Sequence, residues 1–259
     1  MSVAVSVKSA GRALAVLDYL SAVGSATFAE LSDALSLPKS SASALLGTMH
    51  ESGWIERDAQ RRYRVGLRAW QVGRTYRGHD DLVEKAKPLM DTLSRDIGET
   101  VQLARLDGME NVYIAISESA HPMRLVSSVG MRLPSHATGI GKALLSQLAP
   151  AERAQRVSAA PLAQLTTRTV VEPERLLATL SECALSGFAL DDEEFVEGCR
   201  CVAVPLHTGA LGVITAMSIT MPLYRSSKNW PDDLIPALQR TAQRLQSELG
   251  LHSEIAHTR

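Results

Sequence analysis

Near the start of the chain apolar residues recur three and four positions apart and then switch to alternation, dividing the first 65 residues into helices followed by a hairpin. Ala13, Val16, Leu17 and Leu20 share one face of a helix predicted over 9–23. Thr27, with Glu30 three residues on, forms a capping box, and Phe28, Leu31 and Leu35 mark the buried face of the helix it opens. Pro38 suits a first helical position, because its fixed φ is helical and its missing N–H would lack a partner there anyway. The helix predicted from it buries Ala42, Leu45, Leu46 and Met49, turns Ser40, Ser43, Ala44 and Gly47 outward, and stops at Gly53. Residues 54–57 and 61–65 then alternate about a turn at Asp58-Ala59-Gln60, with Ile55, Tyr63 and Val65 directed inward.

Two short helices, a tight turn and a hairpin are the means by which a chain lays a helix in a DNA groove. The outward face of the second helix is small and nearly uncharged. It can approach base edges closely, with serine donating or accepting and alanine touching a thymine methyl, while Lys39 reaches a phosphate. Arg57, Arg61, Arg62 and Arg64 make the hairpin basic. Arginines on a hairpin are commonly just solvated, but directly after a helix-turn-helix such a wing lies along the phosphate backbone. Net charge is −1 overall, which alone argues against a nucleic-acid partner. Its distribution argues for one. Residues 1–78 carry ten Lys and Arg against six Asp and Glu, a balance of +4, so the remainder stands at −5.

At roughly 150 residues per domain the 259-residue chain accommodates two domains. Residues 65–77 read as a connecting helix whose Leu67, Trp70 and Val72 are too few to bury it deeply. No apolar run approaches the ~20 residues of a membrane span, and the first residues lack a signal-peptide core, so the expected location is the cytoplasm with no membrane partner. Cys183, Cys199 and Cys201 are too few and too unevenly spaced for a disulfide framework or a structural zinc site; no metal or cofactor is expected.

In the second half, Leu211 to Thr220 alternates as a strand, with Ser218 and Thr220 on one face, and Cys199, Cys201 and Ala203 share a face of a neighbouring strand. Two rows of small, weakly polar side chains suit a small polar ligand. Residues 138–142, Thr-Gly-Ile-Gly-Lys, open a helix predicted to reach Leu148, and backbone N–H groups at a helix start can seat a carboxylate. Each feature also has a plainer reading: packed-sheet residues for Ser218 and Thr220, inert thiols for the cysteines, a solvated loop for residues 191–194, and a structural role for His136. Catalysis finds little support. The glycine-lysine segment fails as a phosphate loop because His136 and Ala143 stand where glycine and Ser or Thr are needed, and neither a nucleophile elbow nor a zinc-protease helix occurs. No catalytic residue is assigned. The remaining alternative is thiol chemistry at Cys199 or Cys201, as a redox sensor or a thiol enzyme, which needs a nearby cation; Arg200 alternates to the opposite face.

Several segments at this order and spacing resemble the IclR (isocitrate lyase regulator) family of transcriptional regulators: VKSAGRALAVLDYL, LPKSSASALLGTMHESGWIER and RYRVGLRAWQVG in front, then RLPSHATGIGKALLSQL, LTTRTV, GFALDDEEFVEGCRCVAVPL and GVITAMSIT. The resemblance implies an α/β (α+β) chain: a winged helix-turn-helix over 1–66, a linker helix over 67–80, and a mixed α/β effector-binding and oligomerisation domain over 81–259 similar to GAF and PAS sensors. It implies a homodimer or dimer of dimers (a homotetramer) that binds double-stranded operator DNA, most simply as a repressor of a catabolic operon, and a small effector such as an organic carboxylate. The DNA contacts expected are Lys39, Ser40, Ser41, Ser43, Arg57, Arg61, Arg62 and Arg64. Effector contacts fall on Gly139, Ile140, Asp191, Cys201, Ser218 and Thr220, with walls from Leu125, Leu133 and Cys199. Where the family often has a larger polar pair in the recognition helix this chain has Ser43-Ala44, which shifts specificity to the serines and the wing.

Overall fold

The computed structural model describes residues 7–75, 80–208 and 211–251, in two compact units that divide between Gly78 and His79. The front unit holds α1 (Lys8–Val23), α2 (Phe28–Ala34), α3 (Lys39–Glu51), β1 (Ile55–Arg57), β2 (Tyr63–Val65) and α4 (Leu67–Gly73). Most of its core is the set the periodicity selects: Val16, Leu20, Leu31, Leu46, Met49, Ile55 and Tyr63 are buried together, with Ala13, Leu17, Phe28, Leu35, Leu45 and Val65 packed around them; Ala26, Tyr19 and Trp54 join it unpredicted. Both halves of the capping box form at Thr27 and Glu30. Pro38 departs by one position from expectation: its ψ of 137° is extended, so it caps α3 and the helix begins at Lys39. Its carbonyl still accepts the Ala42 N–H, and the expected outward face is unchanged. Gly53 ends the helix with a φ of 77°, its N–H on the His50 carbonyl.

The hairpin pairs Ile55 with Val65 and Arg57 with Tyr63. The connecting helix expected over 65–77 is shorter, seven residues of α4 with none buried, and residues 76–79 lie outside those described. α4 starts hard against the front unit. A Cβ on Gly66 would lie 2.3 Å from the Gly53 carbonyl oxygen, and the Gly66 N–H bonds the Trp54 carbonyl.

The rear unit is built on a six-stranded antiparallel sheet in the order β5-β4-β3-β8-β7-β6. Its strands are β3 (Thr100–Asp107), β4 (Glu110–Ser117), β5 (Arg132–Pro134), β6 (Ala189–Asp192), β7 (Cys199–Leu206) and β8 (Thr215–Pro222). One face packs Val101, Leu103, Val202, Val204, Met217 and Ile219 against α5 (Asp80–Ile97) and α9 (Ile235–Glu248). The other face is lined by smaller residues, Ala104, Ala189, Ala203 and Ala216, and is covered by α6 (Gly139–Leu145) and α8 (Pro173–Ser186), with α7 (Pro150–Ala159) packed on α8. Small side chains let α6 sit close to the sheet. That close approach makes the candidate site.

Two boundaries differ from the sequence reading. β8 begins at Thr215 rather than Leu211, because Gly212 takes a φ of 70° and the Thr208 hydroxyl bonds both the Val213 carbonyl and the Thr215 hydroxyl, closing a turn. α6 ends at Leu145 rather than Leu148. Beyond it the bonds tighten to three-residue spacing, and Arg153 takes the Ser146 and Leu148 carbonyls that a longer helix would leave unpaired. Among the described residues no helix is long and apolar enough to cross a membrane.

Candidate functional site

In the front unit, α3 leaves Lys39, Ser40, Ser41, Ser43 and Ala44 exposed on the side away from Ala42, Leu46 and Met49. The four wing arginines divide into two kinds. Arg62 is held inside the unit: its Nη2 lies 2.9 Å from Glu30 and 3.0 Å from the Ser25 carbonyl, and its Nε donates to the Ser25 hydroxyl. The Thr27 N–H chiefly, with Arg62 adding, holds the Glu30 carboxyl below the usual carboxylate range. Arg64 forks onto Glu56 at 2.9 and 3.2 Å, and Glu56 also accepts the Leu67 N–H; the Arg64 bond leads in lowering its pKa. Arg57 lies over the Tyr63 ring at 5.2 Å, and Arg61 is exposed at the tip with a φ of 62°. Arg57 thus rests on an aromatic ring and Arg61 stands exposed, whereas Arg62 and Arg64 are each held by a carboxylate. The sequence hinted at the Arg62 clamp only through Glu30, already recruited to the capping box.

In the rear unit, register gathers the candidate residues. Cys201 pairs with Asp191 on β6 and with Thr220 on β8; Ala203 pairs with Ser218, and Ser218 in turn with Gln102 on β3. Opposed residues in a sheet share a face, so Asp191, Cys201, Thr220, Ser218 and Gln102 lie on the small-residue face under α6. Gln102 was not foreseen. It is 1% exposed, and its carbonyl oxygen accepts both the Ser218 hydroxyl at 3.0 Å and the Thr220 hydroxyl at 3.1 Å. Tyr113, equally unforeseen, reaches this face because the β3–β4 register shifts at Leu103/Ala104: Ala115 pairs with Leu103 and Tyr113 with Ala104.

The start of α6 presses onto this floor. A Cβ on Gly139 would lie 3.0 Å from the Cys201 sulfur and 3.2 Å from the Asp191 nitrogen, and one on Gly141 would collide with Ser135 at 2.2 Å. The helix start offers fewer donors than expected. Thr138 accepts the Gly141 N–H at 3.1 Å while donating to Asn111 at 2.8 Å, and the Ile140 N–H lies close enough to the Cys201 sulfur to favour its thiolate slightly against burial. Leu133 on β5 packs at the edge of the small-residue core, while Leu125 and Cys199 are half-buried, with Cys199 one step along β7 opposite Pro222. His136 is structural as read, its Nε2 3.0 Å from the Ala163 carbonyl.

Charge in this region is internal. Lys142, with its side chain 2% exposed, pairs with Glu194 at 2.5 Å. The acidic run is not a solvated loop. Asp192 binds Arg168 and Arg200 at 2.8 and 2.6 Å, and Glu193 takes the Gly198 N–H. The Glu194 carbonyl accepts from the Thr169 hydroxyl at 2.6 Å, which ties the threonine-rich loop to this segment. Asp191 accepts the Glu194 and Phe195 N–H groups, yet burial dominates and pushes its carboxyl up to about 7. Burial, with Asp191 adding, pushes the Cys201 thiol up to about 12 and raises Cys199 as well. Both thiols stay protonated at neutral pH, the opposite of what a reactive cysteine needs. Burial likewise raises the Tyr113 phenol, which remains a donor.

The chain matches the model of the bacterial transcriptional regulator IclR C-terminal domain over residues 74–247 and that of the IclR helix-turn-helix domain over residues 9–59. It is 35% identical over 216 residues to the HTH-type transcriptional regulator XynR of Escherichia coli K12, covering 83% of this chain and 86% of that protein. It is 33% identical over 242 residues to the HTH-type transcriptional repressor AllR of the same strain, covering 93% and 89%. Among solved structures, an IclR homolog of Microbacterium hydrocarbonoxydans complexed with 4-hydroxybenzoate superposes with a TM-score of 0.81 at 25% identity over 94% of this chain and all of that one. The Agobacterium tumefaciens repressor BlcR does so at 0.61 and 30% identity over 96% and 99%. With both family models satisfied in chain order and relatives above 30% identity along most of its length, the chain belongs to the IclR family of transcriptional regulators.

Proposed function

We propose that the chain is a cytoplasmic, ligand-responsive repressor of a catabolic operon, in which a small organic acid bound on the rear floor alters the grip of the front unit on operator DNA. The observation that carries this reading is the floor itself, where Asp191, Cys201, Ser218 and Thr220 meet under α6 within a core cluster of small apolar side chains. Buried polar groups concentrated at one place in such a core are what a small-molecule site requires. The family relation supports the regulatory half, and the 4-hydroxybenzoate complex of the Microbacterium homolog supports an acid as ligand. Gly139 and Ile140 bring the backbone of α6 to the ligand, and Leu125, Leu133 and Cys199 form its apolar margin.

A homodimer, or a pair of dimers, would present two copies of α3 to half-sites about 34 Å apart or a multiple of it. Lys39, Ser40, Ser41 and Ser43 read the groove, Arg57 and Arg61 bind phosphate directly, and Arg62 and Arg64 do so by exchanging their carboxylates for it. The raised thiols leave no role for Cys199 or Cys201 as a redox sensor or nucleophile in this account. Fluorescence anisotropy of the full chain on operator fragments, with and without a panel of hydroxybenzoates and short hydroxy acids, tests it. The expected result is operator binding in the nanomolar range that one acid class weakens at least ~tenfold, a usual coupling size. Operator affinity indifferent to every acid in the panel would refute the effector half.

A further inference from the structure

The hydrogen-bond polarity of the rear floor narrows the ligand further. A serine or threonine hydroxyl has one proton to give, and its oxygen keeps two lone pairs. Here both protons go to one acceptor: Ser218 and Thr220 donate to Gln102 Oε1 at 3.0 and 3.1 Å. Register makes the arrangement, since Gln102 stands opposite Ser218 with the Thr100 and Thr220 pair as its neighbour along the strands. Gln102 and Ser218 are essentially inaccessible, and Thr220 is 9% exposed. With their protons on Gln102, the two hydroxyl oxygens offer lone pairs to anything placed against them, beside the protonated Cys201 thiol that lies within reach of both. A carboxylate oxygen there would face like charge density; an O–H or N–H would find two acceptors side by side.

We propose that Gln102 is a positioning residue for effector recognition: by holding the Ser218 and Thr220 protons it turns this wall into an acceptor pair, selecting an acid that also carries a hydroxyl or amide N–H. The inference rests on the reading that the floor under α6 is the effector site. It also assigns the ligand's orientation. The donor group lies against Ser218 and Thr220, and the carboxylate lies toward the Gly139 end of α6 and away from that pair.

The test is isothermal titration of the full-length protein with matched acids differing only in the donor: 4-hydroxybenzoate against benzoate and 4-methoxybenzoate, and glycolate against acetate and methoxyacetate. Wild-type protein is expected to prefer the hydroxyl-bearing member by about tenfold or more, the discrimination expected when a site built for a hydroxyl meets an analogue lacking it. Gln102→Met, close in shape but without the acceptor, frees both protons and is expected to bring the ratio to within about threefold. Gln102→Glu keeps acceptor oxygens in place and is expected to retain the preference, separating this role from simple packing. Gly139→Ala, whose Cβ would crowd Cys201 and Asp191, is expected to weaken every acid alike. Equal affinity of matched acids in the wild type, or a ratio unchanged in Gln102→Met, overturns the proposal while Gly139→Ala still reports the site. Binding indifferent to Gly139→Ala, or no binding by any acid, overturns the site reading and the proposal with it.

Discussion

The two units place their functional polar groups in opposite environments. In the front unit the residues assigned to DNA are exposed, apart from the half-buried Arg62, and ion pairs such as Arg64 with Glu56 sit at the surface where solvent screens them. In the rear unit the key polar groups are buried and bonded to one another, with Gln102, Ser218 and Thr220 in one cluster and Lys142 with Glu194 in another, although Glu194 Oε2 has no partner among the described residues. A surface reader can exchange partners at little cost. A buried floor cannot, so its hydrogen-bond directions are fixed before a ligand arrives, and selectivity follows from that fixity.

The sharpest way to break this contrast is the Lys142–Glu194 pair. Lys142→Met strands a carboxylate in the rear unit and is expected to cost ~3–5 kcal/mol in urea unfolding, whereas Lys142→Met with Glu194→Leu should recover most of it. The comparable front-unit change, Arg62→Ala, is expected to cost no more than ~1 kcal/mol, since both partners are partly exposed. A loss for Arg62→Ala as large as that for Lys142→Met would erase the distinction.

The wing sharpens the comparison through salt. Arg57→Ala and Arg61→Ala are each expected to reduce the slope of log K against log[salt] for operator binding by ~0.9, one released counterion each. Arg62→Ala and Arg64→Ala are expected to change it less, because their charges already face Glu30 and Glu56. Equal changes for all four would mean that Glu30 and Glu56, once given up, take back no counterion.

On the rear side, Asp191 gives a pH signature. A carboxylate ligand nearby favours the protonated form, so binding takes up a proton, and affinity should be highest below pH 7 and fall as pH rises through about 7. Stability follows the same sign. The folded-state pKa lies above the unfolded value, so ionisation of Asp191 opposes folding progressively as pH rises from about 4 to about 7. Asp191→Asn should flatten both curves, measured by titration calorimetry and thermal unfolding across pH 5 to 8. The smallest expected effect is at the capping box, where Thr27→Ala should lower front-unit stability by ~1 kcal/mol without touching effector affinity.

The contrast also explains what could be read from the chain. The capping box, the outward face of α3 and the hairpin depend on neighbours a few residues apart, and periodicity alone placed them, apart from the single-residue shift at Pro38. Alternation likewise put Ser218 and Thr220 on one face. What escaped was set by long-range register. Gln102 meets Ser218 across 116 residues, Lys142 meets Glu194 across 52, and Tyr113 turns to the floor only through a bulge. Nothing local marks such residues, because a buried glutamine on a strand carries no signal until its neighbouring strand is known. The overlong β8 had a readable warning in Gly212, whose left-handed backbone stops the strand.

The central claim, that the rear floor governs the front unit, is tested most directly by operator anisotropy of the Ser218→Ala, Thr220→Val double variant titrated with the acid to which the wild type responds. The account predicts unaltered operator affinity without ligand and loss of the response to that acid. A response of wild-type size and midpoint in the double variant would contradict it.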